Sequence, residues 1–251
     1  MLKCAHIICK VNNLSQAVKD FKRLGFSVEW GSVPTKSNNA LIWFGKGPFI
    51  ELFEESKGYY IFSKLISLFC GKAAGDKLHK WYQLQEGWCD IAGEDENNDE
   101  KYNECASINR KKLVEIQKKI QKLGISTSKV IDGSRKKECG NVVKYSLFYL
   151  RPTDFPFIVS KYNSNQRPEK IVHDNGAKEI IKIVVRVVPD LEKTYKKLFE
   201  NDSRIEIVQG NSTEIADVAI SGISKKLDPK LLHGAKISYS PKKMNDLRRK
   251  M

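Results

Sequence analysis

Apolar and polar positions alternate from the start of the chain. In "KCAHIICKV" (3–11) the alternation predicts a strand with Ala5, Ile7, Cys9 and Val11 on one face and Cys4, His6, Ile8 and Lys10 on the other. The period then changes. Leu14, Ala17, Val18, Phe21 and Leu24 recur at helical spacing, Asn13 offers an N-cap and Gly25 a stop. Three strands follow in "FSVEW", "ALIWFG" and "FIELFE", the last two joined by the turn "GKGP". Residues 1–54 therefore predict one βαβββ module. Residues 55–85 predict a helical insertion. Within it Ile61, Leu65, Leu68 and Phe69 share one face, which is expected to cover a pocket mouth or a partner subunit.

The first pattern then recurs. "FKRLGFSV" at 21–28 is echoed by "IQKLGIST" at 120–127, after a helix with Leu113, Ile116 and Ile120 on one face. The strand "GWCDIA" opens this second module, and "KYSLFYL" and "PFIVSKY" supply later strands, giving a module over 86–162. The acidic "GEDENNDE" (93–100) reads as a loop. Residues 163–177 form a linker ending in "HDNGA". From 178 to 251 a third, partial module follows: a strand in "EIIKIVVRV", a helix opened by Pro189, strands in "IEIVQG", "DVAISG" and "KISYS", and a basic tail.

Composition narrows the class. Hydrophobic residues at 41% and charged residues at 29% fit a globular chain. The most apolar stretch, "YYIFSKLISLFCGKAAG", is interrupted by Lys64, Ser63 and Ser67, so no membrane span is expected. The start lacks a signal-peptide apolar core, and a cytoplasmic location is the simplest expectation. The six cysteines form no Cys-x-x-Cys pair, and most read as small buried hydrophobes. The net charge of +14 raises the question of nucleic acid, but the lysines are spread along helix faces. The densest runs are Arg135-Lys136-Lys137 and the tail "PKKMNDLRRKM". A solvated basic surface is expected rather than a nucleic-acid partner, with a weak anion-attracting field.

Candidate chemistry centres on His6 and Glu51. Glu51 shares a strand face with Phe49 and Phe53, while Ile50 and Leu52 face the other way. A carboxylate among aromatic residues needs a partner if buried, and an imidazole or a metal supplies one. A metal-free His6–Glu51 hydrogen bond, or a semi-exposed Glu51, are the alternatives. Trp43 and Trp88 read as pocket walls or as core. His173 reads as a turn residue of "HDNGA", with a ligand or general-base role as the alternative. His79 and His233 read as surface residues.

Three segments carry a family resemblance. "HIICKVNNLSQAVKDFKRLGFSV", "NALIWFGKGPFIELFE" and "HDNGA", with "EGW" and "FPFIV" between them, resemble in this order the vicinal oxygen chelate superfamily, and more narrowly its glyoxalase-like domain proteins. The resemblance implies an α+β fold of repeated βαβββ modules whose curved mixed sheets enclose a pocket. It implies that a first-strand His and a last-strand Glu bind a divalent cation, here His6 and Glu51, with Glu51 also catalytic. Trp43, Phe49, Phe53 and Trp88 would then hold a small-molecule substrate. Isomerases, lyases, dioxygenases and bleomycin-resistance-type sequestering proteins share the scaffold, so fold does not select the reaction. This chain departs from the pattern in its second module. Val159 falls at the Glu position, no histidine lies in "EGWCDIA", and Cys89 and Asp90 are the only ligand types there. In the third module Ile183 falls near the His6 position. Two expectations stand: a labile divalent metal completed by water and substrate, with lyase, isomerase or dioxygenase chemistry, or a metal-free protein that binds a small molecule. A homodimer is left open.

Overall fold

The structure, a computed structural model, describes residues 1–55, 58–97, 105–137 and 139–239, without the side chains of Tyr59, Tyr60 and Phe62. The end of the acidic segment, 98–100, and the basic tail lie outside the described residues.

The first strand, β1 (Leu2–Lys10), leads into α1 (Leu14–Arg23). Asn13 caps α1 by accepting the Gln16 N–H at 2.9 Å, and Gly25 ends it at φ +85°. A side chain at Gly25 would collide with the backbone of Asn175, so the stop residue also admits the linker. Then come β2 (Glu29–Trp30), β3 (Asn39–Ile42) and β4 (Phe49–Phe53). The insertion holds two helices, α2 (Tyr59–Cys70) and α3 (Lys72–Gln83). The second half comprises β5 (Gly87–Asp95), α4 (Ala106–Gln121), β6 (Ser126–Thr127), β7 (Ile131–Lys136), β8 (Val142–Phe148), β9 (Leu150–Arg151) and β10 (Phe157–Val159). Gly93–Asp95 therefore continue a strand where the sequence reading placed a loop.

Eight strands form one mixed sheet in the order β2-β3-β4-β1-β5-β10-β8-β7, curled into a half-barrel. The strands of the two halves mirror one another across the antiparallel β1–β5 seam. Each half joins its first strand to its last in parallel, β1 to β4 and β5 to β10. The convex face presents Ile7, Cys9, Ile50, Leu52, Ile91 and Ile158 to α1, α4 and a second sheet, in one continuous core. That second sheet orders β12-β11-β13-β14 from β11 (Glu179–Val187), β12 (Ile205–Gln209), β13 (Glu214–Ser221) and β14 (Ile237–Ser238), with α5 (Pro189–Leu198) between β11 and β12. Its connectivity differs from the first half. The strand after α5 pairs directly and in parallel with β11, whereas the strand after α1 lies at the sheet edge. Ile183 is fully buried in this core.

The concave face is closed at one end by α3. Ala73, Ala74, Leu78 and Trp81 pack there on Ile8, Phe53, Ala92 and Phe157. Lys10 donates to the Trp81 and Tyr82 carbonyls at 2.6 and 2.9 Å, tying β1 to the end of α3. The insertion thus supplies the cap through α3. The apolar face of α2 covers no pocket mouth within the described part of the chain, with Ile61 65% and Leu68 77% exposed. No helix among the described residues is long and apolar enough to cross a membrane.

Candidate functional site

Parallel pairing of β1 with β4 sets His6 opposite Phe49 and Ile8 opposite Glu51. Side chains in such register share a face, so His6, Phe49, Glu51 and Phe53 all point to the concave side. His6 Nε2 lies 3.3 Å from Glu51 Oε2, and the imidazole stacks on Phe49 with centroids 4.7 Å apart. Asn39 Nδ2, on β3, donates to Glu51 Oε1 at 2.8 Å. Burial pushes the Glu51 carboxyl up, but His6 and Asn39, with Arg135 behind them, together hold it below its ordinary range. Glu51 is thus a carboxylate at neutral pH.

This group faces an inner cavity of about 220 Å³. Phe53, Trp81, Tyr145, Tyr149, Phe157 and Tyr162 form its aromatic wall. Burial first, and the Glu51 charge second, raise the phenols of Tyr145 and Tyr162; burial chiefly raises that of Tyr149. All three remain hydrogen-bond donors at neutral pH. Arg135 enters from β7 by donating to the Gly31 carbonyl at 2.8 Å, with its guanidinium 5.8 Å from the Tyr162 ring centre. Gly133 makes room for the Tyr145 ring, which a Cβ there would approach within 2.6 Å.

The remaining expected site residues separate. Phe53 lines the inner cavity, while Trp43 and Phe49 line a larger neighbouring cleft. Trp43 Nε1 donates to Glu29 at 2.9 Å, and its ring lies 4.2 Å from that of Phe49. Trp88 lies on the opposite, convex face and donates to the Lys236 carbonyl at 2.9 Å. The cause is a register shift on β5: Ile8 pairs with Asp90 but Cys9 pairs with Trp88, so Cys89 is an extra residue that turns Trp88 over. A second shift, at Ala5, puts Cys4 in the convex core and Ala5 on the cavity side, against the simple alternation.

His173 and His233 are structural. The His173 ring accepts the Ser27 N–H at Nδ1 (2.9 Å), which leaves Nε2 to donate to the Trp43 carbonyl at 2.9 Å. Burial pushes its pKa down and keeps it neutral. His233, expected at the surface, is largely buried between Asp20 and Glu86, at 3.2 and 3.1 Å.

The second half of the sheet supplies no matching donors. Phe157 pairs with Ala92 as Phe49 pairs with His6, so Ala92 stands where His6 does and Val159 where Glu51 does. Asp90 faces inward but is consumed by Lys77 at 2.6 Å, Trp81 Nε1 at 2.8 Å and the Ile91 N–H at 2.8 Å. Among the described residues no group of three or more His, Cys, Asp and Glu side chains is placed to hold a metal ion. The donor set does not fit a metal site with four protein ligands.

A family model described as a glyoxalase-like domain matches residues 5–199. A hypothetical protein from Staphylococcus aureus shares the fold at TM-score 0.64 and 15% identity, over 96% of this chain and 100% of that one. The Mn(II)-bound glyoxalase from Novosphingobium aromaticivorans does so at TM-score 0.51 and 11% identity, over 89% of this chain and 67% of that one. Among curated proteins none matches the sequence. At these identities the likeness is one of fold.

Proposed function

The chain belongs to the glyoxalase-like domain family, and from that premise we propose that it binds a small, planar, hydroxyl-bearing molecule in the inner cavity without a metal. Glu51 accepts the ligand hydroxyl, and the tyrosine phenols and Arg135 donate to its other oxygens. One observation carries this reading: an ionised Glu51, paired with His6 and Asn39, opens into an aromatic cavity, and the second half of the sheet holds Ala92 and Val159 where the first holds His6 and Glu51. Buried polar groups fix ligand orientation while apolar walls supply most of the contact area. A second reading, metal-assisted lyase, isomerase or dioxygenase chemistry with His6 and Glu51 as ligands, is favoured by their 3.3 Å separation. Two ligands bonded at about 2.0–2.2 Å lie roughly that far apart.

The two readings separate in a titration with 2-naphthol, followed by quenching of Trp81, with Trp81→Phe as the control. Saturable quenching is expected, unchanged after dialysis against EDTA and weakened about tenfold in Glu51→Gln. That loss, about 1.4 kcal/mol, is close to the lower end of a charge-assisted hydrogen bond, worth roughly 1.5–3 kcal/mol, because the glutamine keeps a neutral acceptor. Absence of saturable quenching removes the proposal. Binding lost with EDTA and restored by Mn²⁺ replaces it with the metal reading.

A further inference from the structure

A larger cleft of about 530 Å³ adjoins the inner cavity, and His6, Val159 and Tyr162 line both. Their chemistry differs. The inner cavity is aromatic. The outer cleft is lined by Lys3, Lys46, Lys161, Arg167 and Arg204, against Glu94 as the one carboxylate among its lining residues.

Arg167 and Arg204 are fixed in place. Arg167 donates to the carbonyls of Phe44 and Gly47 and lies 5.7 Å from the Trp43 ring centre. Arg204 donates to Asp202 at 2.9 Å, and that carboxylate is only 1% exposed. Gly47 permits the approach, since a Cβ there would fall 2.8 Å from Arg204 Nη1. A guanidinium already held by the protein loses little freedom when it takes up an anionic oxygen. Asp202 and Glu179 offset part of this charge, the latter through Lys46 at 3.3 Å. Five cations stand against Glu94, Asp202 and Glu179, and a concave wall with an excess of one sign focuses its field on the space it encloses.

We infer that the outer cleft binds the anionic group, carboxylate or phosphate ester, of a small organic molecule whose planar body occupies the inner cavity. This rests on the reading of the inner cavity for the body of the ligand. The anionic group is a separate claim, and it gives the site a substrate class. Charge-assisted bonds from guanidinium and ammonium to such oxygens are shorter and stronger than neutral ones. The threshold at His6 and Tyr162 joins the two ends of the ligand.

The test compares 2-naphthol, 2-naphthoate and 1-naphthyl phosphate, with inorganic pyrophosphate as a probe that has no aromatic body. At least one anionic naphthyl probe is expected to bind ten or more times tighter than 2-naphthol; which one does so separates carboxylate from phosphate. The Lys46→Gln/Lys161→Gln variant should lose most of that advantage and most pyrophosphate binding, while 2-naphthol binding stays the same. The whole chain carries +14, so Lys111→Gln/Lys193→Gln serves as a control with the same charge change at exposed positions outside the cleft. It should lose nothing. Anionic probes that bind no tighter than 2-naphthol overturn the inference, as does an equal loss in the control, which would assign the effect to the diffuse field. Pyrophosphate binding without 2-naphthol binding would keep the cleft and sink the inner-cavity reading.

Discussion

Glu51 keeps its charge against burial because His6 and Asn39 each hold one of its oxygens. A carboxyl depressed in the folded state contributes stability that is complete above its unfolded value, about pH 4.3. The contribution fades as pH falls through the lower folded value, and each unit of depression is worth about 1.4 kcal/mol. Urea titrations between pH 6 and pH 3 should therefore show wild type losing more stability than Glu51→Gln. Parallel losses in the two proteins would mean that Glu51 is not held low. The facing of His6, Glu51, Phe49 and Phe53 was legible in the sequence, because strand side chains alternate strictly. Ala5 and Trp88 were not, since each lies next to or within a register shift and alternation does not pass through an extra residue. Arg135 was read as part of a surface run. Its strand carries Ile131 as the one apolar residue on the inner side, beside Gly133 and Arg135, which is too little for an alternating apolar signal.

The insertion shows the same limit at the scale of an element. The apolar face of α2 is plain in sequence, yet Ile61, Leu65, Leu68 and Phe69 are half or more exposed. The helix that packs is α3, which lies inside the expected helical insertion, but its packing face is hidden in the sequence because Lys77 sits in the middle of it. That lysine is 1% exposed, meets Asp90 at 2.6 Å and donates to the Thr153 and Phe155 carbonyls. Removing one partner of such a pair leaves a buried charge, at a cost of roughly 3–5 kcal/mol. Lys77→Met should destabilise the protein by about that much in urea unfolding. Leu68→Lys/Phe69→Lys on α2 should move stability by no more than about 0.5 kcal/mol, as for open surface sites. If the α2 pair proved the more damaging, the assignment of the capping role to α3 would be wrong.

At the scale of the whole molecule, the question is whether the half-barrel stands alone. The family match ends at residue 199, inside the fold of the second sheet rather than at its edge. A chain cut there keeps β11 and α5 but loses β12 and β13, the two strands that flank β11. Val218, Ile220, Ile223, Leu227 and Leu232 would also go, all buried in the core that the convex face of the large sheet shares. Ile7, Ile50 and Leu52, on the far side of the strands that carry His6 and Glu51, belong to that same core. Strand pairing and the shared core therefore make the second sheet a structural support of the site rather than an appendage. The full chain should unfold in one cooperative transition, with far-ultraviolet circular dichroism and tryptophan fluorescence coincident in urea. Fluorescence reports on both sides of the sheet, because Trp81 lies on the concave face and Trp88 on the convex one. The 1–199 fragment should fail to give a cooperative transition and should not bind 2-naphthol. A fragment that melts sharply and still binds would show that the half-barrel holds its own fold, and the shared core would then be a contact between two independent units.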